Sequence, residues 1–309
     1  MLNTHEGISI PPEGLFEINL LHKYNEVVWT KKVIEQFKKD LWLESRLHNW
    51  NLPKNSLDNN LSSVDKNCSF ADICKIVYEG YAESQNKKKN IIFGIKNPIY
   101  SLFIEDLIKV FPGAKFIHMI RDPRDTILSY KTVPFDSNIS SILAYKWKYY
   151  NQTIISKLNK YSIKPLVLKY ENLILDPEIN LEKICQFLGV SYNSKMLQFH
   201  ENINMDTGDW HSNLSGKLKK NNVFKWKSSM NKKDINRANY ICKNLILNLG
   251  YKIDYNNYGL FTFLTTLPGI LYARVLIFIE RLLFYHFPLR FRSSLLKYYR
   301  IFTKSIDME

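Results

Sequence analysis

Four cysteines in 309 residues give the chain little to cross-link or to bind metal with. Cys68, Cys74, Cys185 and Cys242 form no C-x-x-C pair, and none has histidines at zinc spacing. Neither a disulfide framework nor a zinc site has a pattern to rest on, and a reduced compartment suits the chain. Cys185 and Cys242 fall on apolar helical faces, where cysteine acts as a small hydrophobe. Acidic residues are also short: 29 Asp and Glu stand against 43 Lys and Arg, a net charge of +14. That excess implies anionic partners, whether nucleotides, sulfated or phosphorylated ligands, nucleic acid or an acidic membrane. No recognised nucleic-acid motif occurs, so that class has the least support. The sequence shows no internal repeat. Its start, MLNTHEGISIPPEG, lacks the basic-then-apolar layout of a signal peptide, and a cytoplasmic location is expected.

Long apolar runs are missing too, with one exception. Residues 259–279 are apolar but interrupted by Pro268 and Arg274, and Glu280 and Arg281 follow at once. A spanning helix takes about 20 mostly apolar residues, so this one is marginal. An interfacial or docking helix is the alternative. We therefore expect residues 1–256 to form the main domain and 257–309 a basic, apolar helical tail. Residues 259–289 would lie on a membrane surface, peripheral at its inner face, or pack on the domain.

What is present is a globular pattern. The hydrophobic fraction is 45% and the aromatic fraction 14%, enough for a real core. Residues 31–50 and 70–84 read as amphipathic helices, with a polar Asn/Ser loop over 51–67. Strand and helix then alternate. Ile91–Ile95, Phe116–Ile120 and Pro165–Tyr170 read as strands, and the apolar run at 116–120 predicts burial on both faces. Helices are expected near 102–111, after Pro123, over 139–159 and over 177–188, and a last one capped by Asp234 and ended at Gly250. This alternation predicts an α/β fold with a parallel sheet, helices on both faces, and ligands at the carboxyl ends of strands.

One segment stands out on chemistry: FIHMIRDPRDTILSY at 116–130. Arg121 sits where a strand ends, Asp122 can cap the next helix, Pro123 suits its first turn, and Ser129 lies two turns in. Arginine supplies forked charged donors and serine a neutral one, a pair suited to phosphate. A well-capped turn with solvated charges would look the same locally.

The segment resembles the 3′-phosphate-binding segment of sulfotransferases that use 3′-phosphoadenylyl sulfate (PAPS). More of the chain is similar to that family. SFADICKIVYEGYAESQNKKKNIIFGIKNP (69–98) resembles its helix and G-x-K-x-P strand end, and LVLKYENLILDPEINLEKICQFLGV (166–190) its YEDL…DP…FLG stretch. HSNLSGKLKKNNVFKWKSSM (211–230) resembles the loop that closes over the nucleotide. The likeness is collinear over roughly residues 1–253 and implies a P-loop-type, three-layer sheet. It implies that Arg121 and Ser129 hold the 3′-phosphate, that Tyr170 and Ser215 contact the nucleotide, and that Lys96 stabilises the leaving phosphate. Glu13, in ISIPPEGLF, corresponds to a general base. An ordinary surface glutamate remains open for Glu13, as do His5, His118 or His211 as the base. Packing remains open for Tyr170, and Lys96, Lys225 and Lys227 can be solvated charges.

There are two departures. Val133 stands where some relatives carry a basic residue. No segment like G-x-P-R-S-G-T-T, which cradles the 5′-phosphosulfate on backbone N–H groups, occurs in the chain. The first strand of the fold is thus expected to be missing, with Met1–His5 ending the helix after that loop. The resemblance implies sulfuryl transfer from PAPS to a hydroxyl or amine, without metal, on a carbohydrate or glycolipid acceptor. The alternative is a truncated, inactive remnant that binds a nucleotide or partner.

Overall fold

The computed structural model describes residues 1–87, 91–133, 136–202, 218–253 and 258–286. It divides into two units, Met1–Lys115 with Leu181–Asn204, and Phe116–Asn180 with Met205–Glu309.

In the first unit β1 (Ile8–Ser9) pairs in parallel with β2 (Ile92–Phe93), Ile8 opposite Ile92. The crossover a parallel pair requires is helical. It runs through α1 (Phe16–Asn19), α2 (Leu21–Tyr24), α3 (Lys31–Trp42), α4 (Lys54–Ser62) and α5 (Phe70–Ser84). After β2 comes α6 (Ile104–Val110). The start of α5 is written in the sequence: Ser69 accepts from the Asp72 N–H, and Asp72 accepts from the Ser69 N–H in return. Aromatic side chains fill the centre. Trp50 packs on Phe16, Tyr78 and Tyr81 with ring centroids 5.7–6.0 Å apart.

Two expectations fail here. The helix read over 31–50 ends at Trp42, and residues Ser45–Trp50 form a 3-10 turn that stops at Asn51 in the left-handed region. The stretch read as loop contains α4. Leu57 and Leu61, one turn apart, are both fully buried, which gives a polar segment the stripe it needs.

In the second unit β3 (Ile117–Ile120) pairs in parallel with β4 (Leu166–Lys169) in the register Ile117 to Leu166. Between them lie α7 (Pro123–Tyr130) and α8 (Ser140–Lys160). Then follow α9 (Tyr170–Leu175), α10 (Pro177–Leu188), which belongs to the first unit from Leu181 on, and, again in the second unit, α11 (Trp226–Ser229), α12 (Lys232–Asn248) and α13 (Leu260–His286). Ile120, Ile127, Ala144, Trp147, Trp226, Ala238, Cys242 and Ile246 form the core that joins β3, α7, α8 and α12. Gly189 ends α10 at φ +86°, a conformation costly for any residue with a Cβ.

The cap of α12 is Asn231, not Asp234. The Asn231 side chain accepts from the Asp234 N–H at 2.8 Å and donates to the Asp234 carboxylate, so Asp234 serves at the third helical position. The expectation of strands buried on both faces also fails. His118, Ile120 and Leu168 are buried, but Met119 and Val167 are half exposed, so neither strand is covered throughout. Hydrophobic runs cannot tell which face is covered. The architecture is α/β with parallel pairing and a helical tail, mostly helical by residue.

The described part of the tail holds one helix, α13, which packs on α8. Gly269 lies against α8: a Cβ there would collide with Ser141 Oγ and stand 2.8 Å from its Cβ. Gly269→Ala is therefore expected to cost at least about 1 kcal/mol by overpacking. Thermal denaturation measures this, and an unchanged midpoint would mean the two helices do not meet this closely.

Candidate active site

The parallel pairing of β1 and β2 sends both carboxyl ends the same way. The segment leaving β1 passes Pro11 and Pro12 to Glu13, and the segment leaving β2 passes Gly94 to Lys96. The two candidate catalytic side chains meet: Lys96 Nζ donates to Glu13 Oε1 at 2.5 Å. Arg46, which the motif reading did not single out, donates to Glu13 Oε2 at 3.3 Å. Lys96 is exposed and Glu13 and Arg46 partly so, which makes these ion pairs weak and easily rearranged.

The backbone beside Glu13 is held more firmly. Gly14 O accepts from Asn97 Nδ2 at 3.2 Å and lies 3.0 Å from Tyr100 Oη. Gly14 has no room for a side chain, because a Cβ would lie 2.7 Å from the Trp50 ring. Tyr100 also touches the buried carboxyl of Glu17. Burial raises Glu17 from its ordinary value to about 7, against an opposing contribution from the Tyr100 hydrogen bond. Tyr100 has one proton and two acceptors. A protonated Glu17 resolves this by donating to the Tyr100 oxygen while Tyr100 donates to Gly14 O.

The second unit carries the other candidates. Arg121 follows the last residue of β3 and Tyr170 the last of β4, and Ile120 is opposite Lys169. Register thus makes Arg121 and Tyr170 neighbours, and the guanidinium sits 4.7 Å from the centre of the tyrosine ring. Arg121 Nη2 donates to Asn222 O at 2.9 Å. Its Nε is buried and has no hydrogen-bond partner among the described residues. A donor left open on a charged group is the feature that fits an anion.

Several buried groups fix this turn. Trp147 Nε1 donates to Arg121 O at 3.0 Å, and Glu171 accepts from the Asp122 N–H and from Tyr251, both at 2.8 Å. Asp122 caps α7 and binds Arg124, whose guanidinium stacks 3.7 Å from the Trp226 ring centre. Asp125 accepts the backbone N–H groups of Phe224 and Trp226 at 2.7 and 2.8 Å. Burial raises the Asp125 carboxyl above its usual value, although these N–H bonds oppose the shift. Phe224 and Trp226, at the described end of the segment resembling the nucleotide-closing loop, are thereby fastened to the start of α7, with Phe224 at φ +57°.

Ser129 is exposed on α7, two turns past the cap. Lys225 and Lys227 are exposed, and Lys227 also lies over the Phe224 and Trp226 rings. Ser215 and His211 lie outside the described residues. His5 uses both ring nitrogens locally: Nδ1 accepts from the Gly7 N–H and Nε2 donates to Ser191 O at 2.9 Å. His118 is buried against Asn151 Oδ1 at 2.8 Å, and burial lowers its affinity for a proton. Arg46, Asn222, Trp147 and Glu171 had no signal in local spacing, because each reaches its partner from 26 to 101 positions away.

Comparison with known proteins decides the family. The model of the Sulfotransferase family matches residues 1–194. The chain belongs to the sulfotransferase family. That region includes Glu13, Lys96, Arg121, Ser129 and Tyr170 and excludes Ser215 and α13. Among curated relatives, the protein-tyrosine sulfotransferase of Drosophila melanogaster is 28% identical over 175 residues, 54% of this chain and 34% of that protein. Protein-tyrosine sulfotransferase A of Caenorhabditis elegans is 32% identical over 120 residues, 37% of this chain and 30% of its own. The omega-hydroxy-beta-dihydromenaquinone-9 sulfotransferase of Mycobacterium bovis is 32% identical over 117 residues, 34% and 30% of the two chains. The chain spans less than half the length of the curated relatives it matches. A sulfotransferase domain from the curacin biosynthetic pathway shares the fold, with a TM-score of 0.50 and 17% identity over 82% of this chain and 92% of that domain.

Proposed function

We propose that this sulfotransferase-family chain transfers a sulfuryl group from PAPS to an acceptor hydroxyl or amine. The observation that carries the reading is Arg121, held at a strand end between Tyr170 and Asn222 with a buried donor that no described residue fills. Arg121 and Ser129 would hold the 3′-phosphate, Tyr170 and Ser215 would contact the nucleotide, and Lys96 would stabilise charge on the departing phosphate. Glu13 would take the acceptor proton as the acceptor oxygen bonds to sulfur. The sulfur–oxygen bond to phosphate breaks with its electron pair, leaving adenosine 3′,5′-bisphosphate. For the acceptor we favour a carbohydrate or glycolipid presented at the inner face of a membrane, on which the apolar α13 would rest.

A second reading is a chain that binds the nucleotide without turning it over. The experiment combines calorimetry of adenosine 3′,5′-bisphosphate with transfer of labelled sulfate from PAPS to an acceptor panel. Binding with transfer supports the enzyme. Binding without transfer supports the second reading, and no binding rejects both.

A further inference from the structure

α13 has two apolar faces, and the described residues cover only one of them. We infer that α13 is an in-plane membrane helix, docked on α8 by one face and sunk by the other into the acyl layer of an anionic bilayer. The inference deepens the membrane setting proposed above and rests on it.

The covered face explains why α13 lies on the bilayer rather than across it. Gly269, Ala273 and Leu276 are buried on this side, where α13 meets α8. Glu280 is buried with them and accepts from Tyr150 Oη at 2.7 Å and Lys146 Nζ at 3.4 Å, and Lys146 also holds Asp136 at 2.9 Å. Pulling α13 away to span a membrane would strip Glu280 of both donors and leave a carboxylate in hydrocarbon.

The opposite face is bare among the described residues. Leu260, Leu264, Leu267, Leu271, Phe278 and Leu282 recur at steps of three, four or seven, and all are exposed. At 1.5 Å per residue the stripe runs about 33 Å, more apolar surface than water tolerates on one element. Its charge has one sign. The helix's only acid, Glu280, faces inward, and Arg274 and Arg281 are exposed along one flank of the stripe. They reach back to Tyr145 and Tyr149 hydroxyls on α8 at 3.0 and 3.4 Å. Cations beside an apolar stripe, with tyrosines behind them, suit the depth of phosphate headgroups. A second copy fits worse. Pairing α13 along this stripe would set Arg274 and Arg281 at successive seam positions, like charge against like.

The test is co-sedimentation of the full chain with phosphatidylcholine vesicles, with and without phosphatidylglycerol. We expect binding to the anionic vesicles, reduced at least tenfold by Leu264→Gln/Leu271→Gln/Phe278→Gln and weakened by Arg274→Gln/Arg281→Gln. Circular dichroism checks that each variant is folded. A label at Leu271→Cys, in a Cys68→Ser background, should shift to the blue on vesicles. Three results would overturn the inference: no vesicle binding, binding that survives the triple substitution, or a vesicle-free dimer abolished by it. Nucleotide calorimetry on the same preparation keeps the two readings apart. Nucleotide binding without vesicle binding rejects the in-plane helix alone.

Discussion

Arg121→Ala should weaken binding of adenosine 3′,5′-bisphosphate by about 2–4 kcal/mol, the cost of removing charged hydrogen bonds to a phosphate. The side chain has two fixed engagements, the Tyr170 ring and the Asn222 carbonyl, and neither uses Nε. Those engagements orient the guanidinium before any ligand arrives, so little ordering cost falls on binding. Arg121→Lys should recover only part of the loss, because an ammonium cannot stack as a plane or present a fork. Isothermal calorimetry at fixed ionic strength measures both variants. Equal affinity for wild type and Arg121→Ala would remove Arg121 from the nucleotide site.

The chain should become less stable as pH rises from 5 to 8, and Glu17 should be a main cause. Its folded-state value is about 7 against an ordinary 4.5, so the folded state holds a proton that the unfolded state has released. Stability from this group is fully present below about 4.5 and is lost as pH climbs through 7. Over pH 5 to 8 the loss amounts to about 2–3 kcal/mol, at 1.36 kcal/mol per unit. Glu17→Gln keeps a donor for Tyr100 and cannot ionise, so it should flatten the profile. Urea denaturation at both pH values, for wild type and variant, gives the comparison. Parallel profiles would show that Glu17 is ionised throughout.

Both effects depend on contacts that spacing could not reveal. Asp122 and Pro123 announced α7 because caps act within four residues, and helical spacing announced α5. Strand ends at Arg121 and Tyr170 were legible because apolar runs stop abruptly there. The polar composition of 51–67 hid α4, whose stripe is only Leu57 and Leu61. No motif or spacing singled out Glu17. Its partners, Tyr100 and Tyr78, lie 83 and 61 positions on in the sequence. The candidate site was readable where the family resemblance supplied residues and silent where side chains meet across the fold, as at Arg46 and Trp147.

The pairing of β3 with β4 restricts how this part of the gene can change length. Side chains alternate between faces, so one inserted residue in either strand would rotate Arg121 or Tyr170 to the opposite side. Two inserted residues would keep the side but shift one strand end past the other by about 7 Å, beyond stacking distance. Insertions and deletions should therefore accumulate in the turn between α7 and α8 and leave the four residues of each strand at constant length.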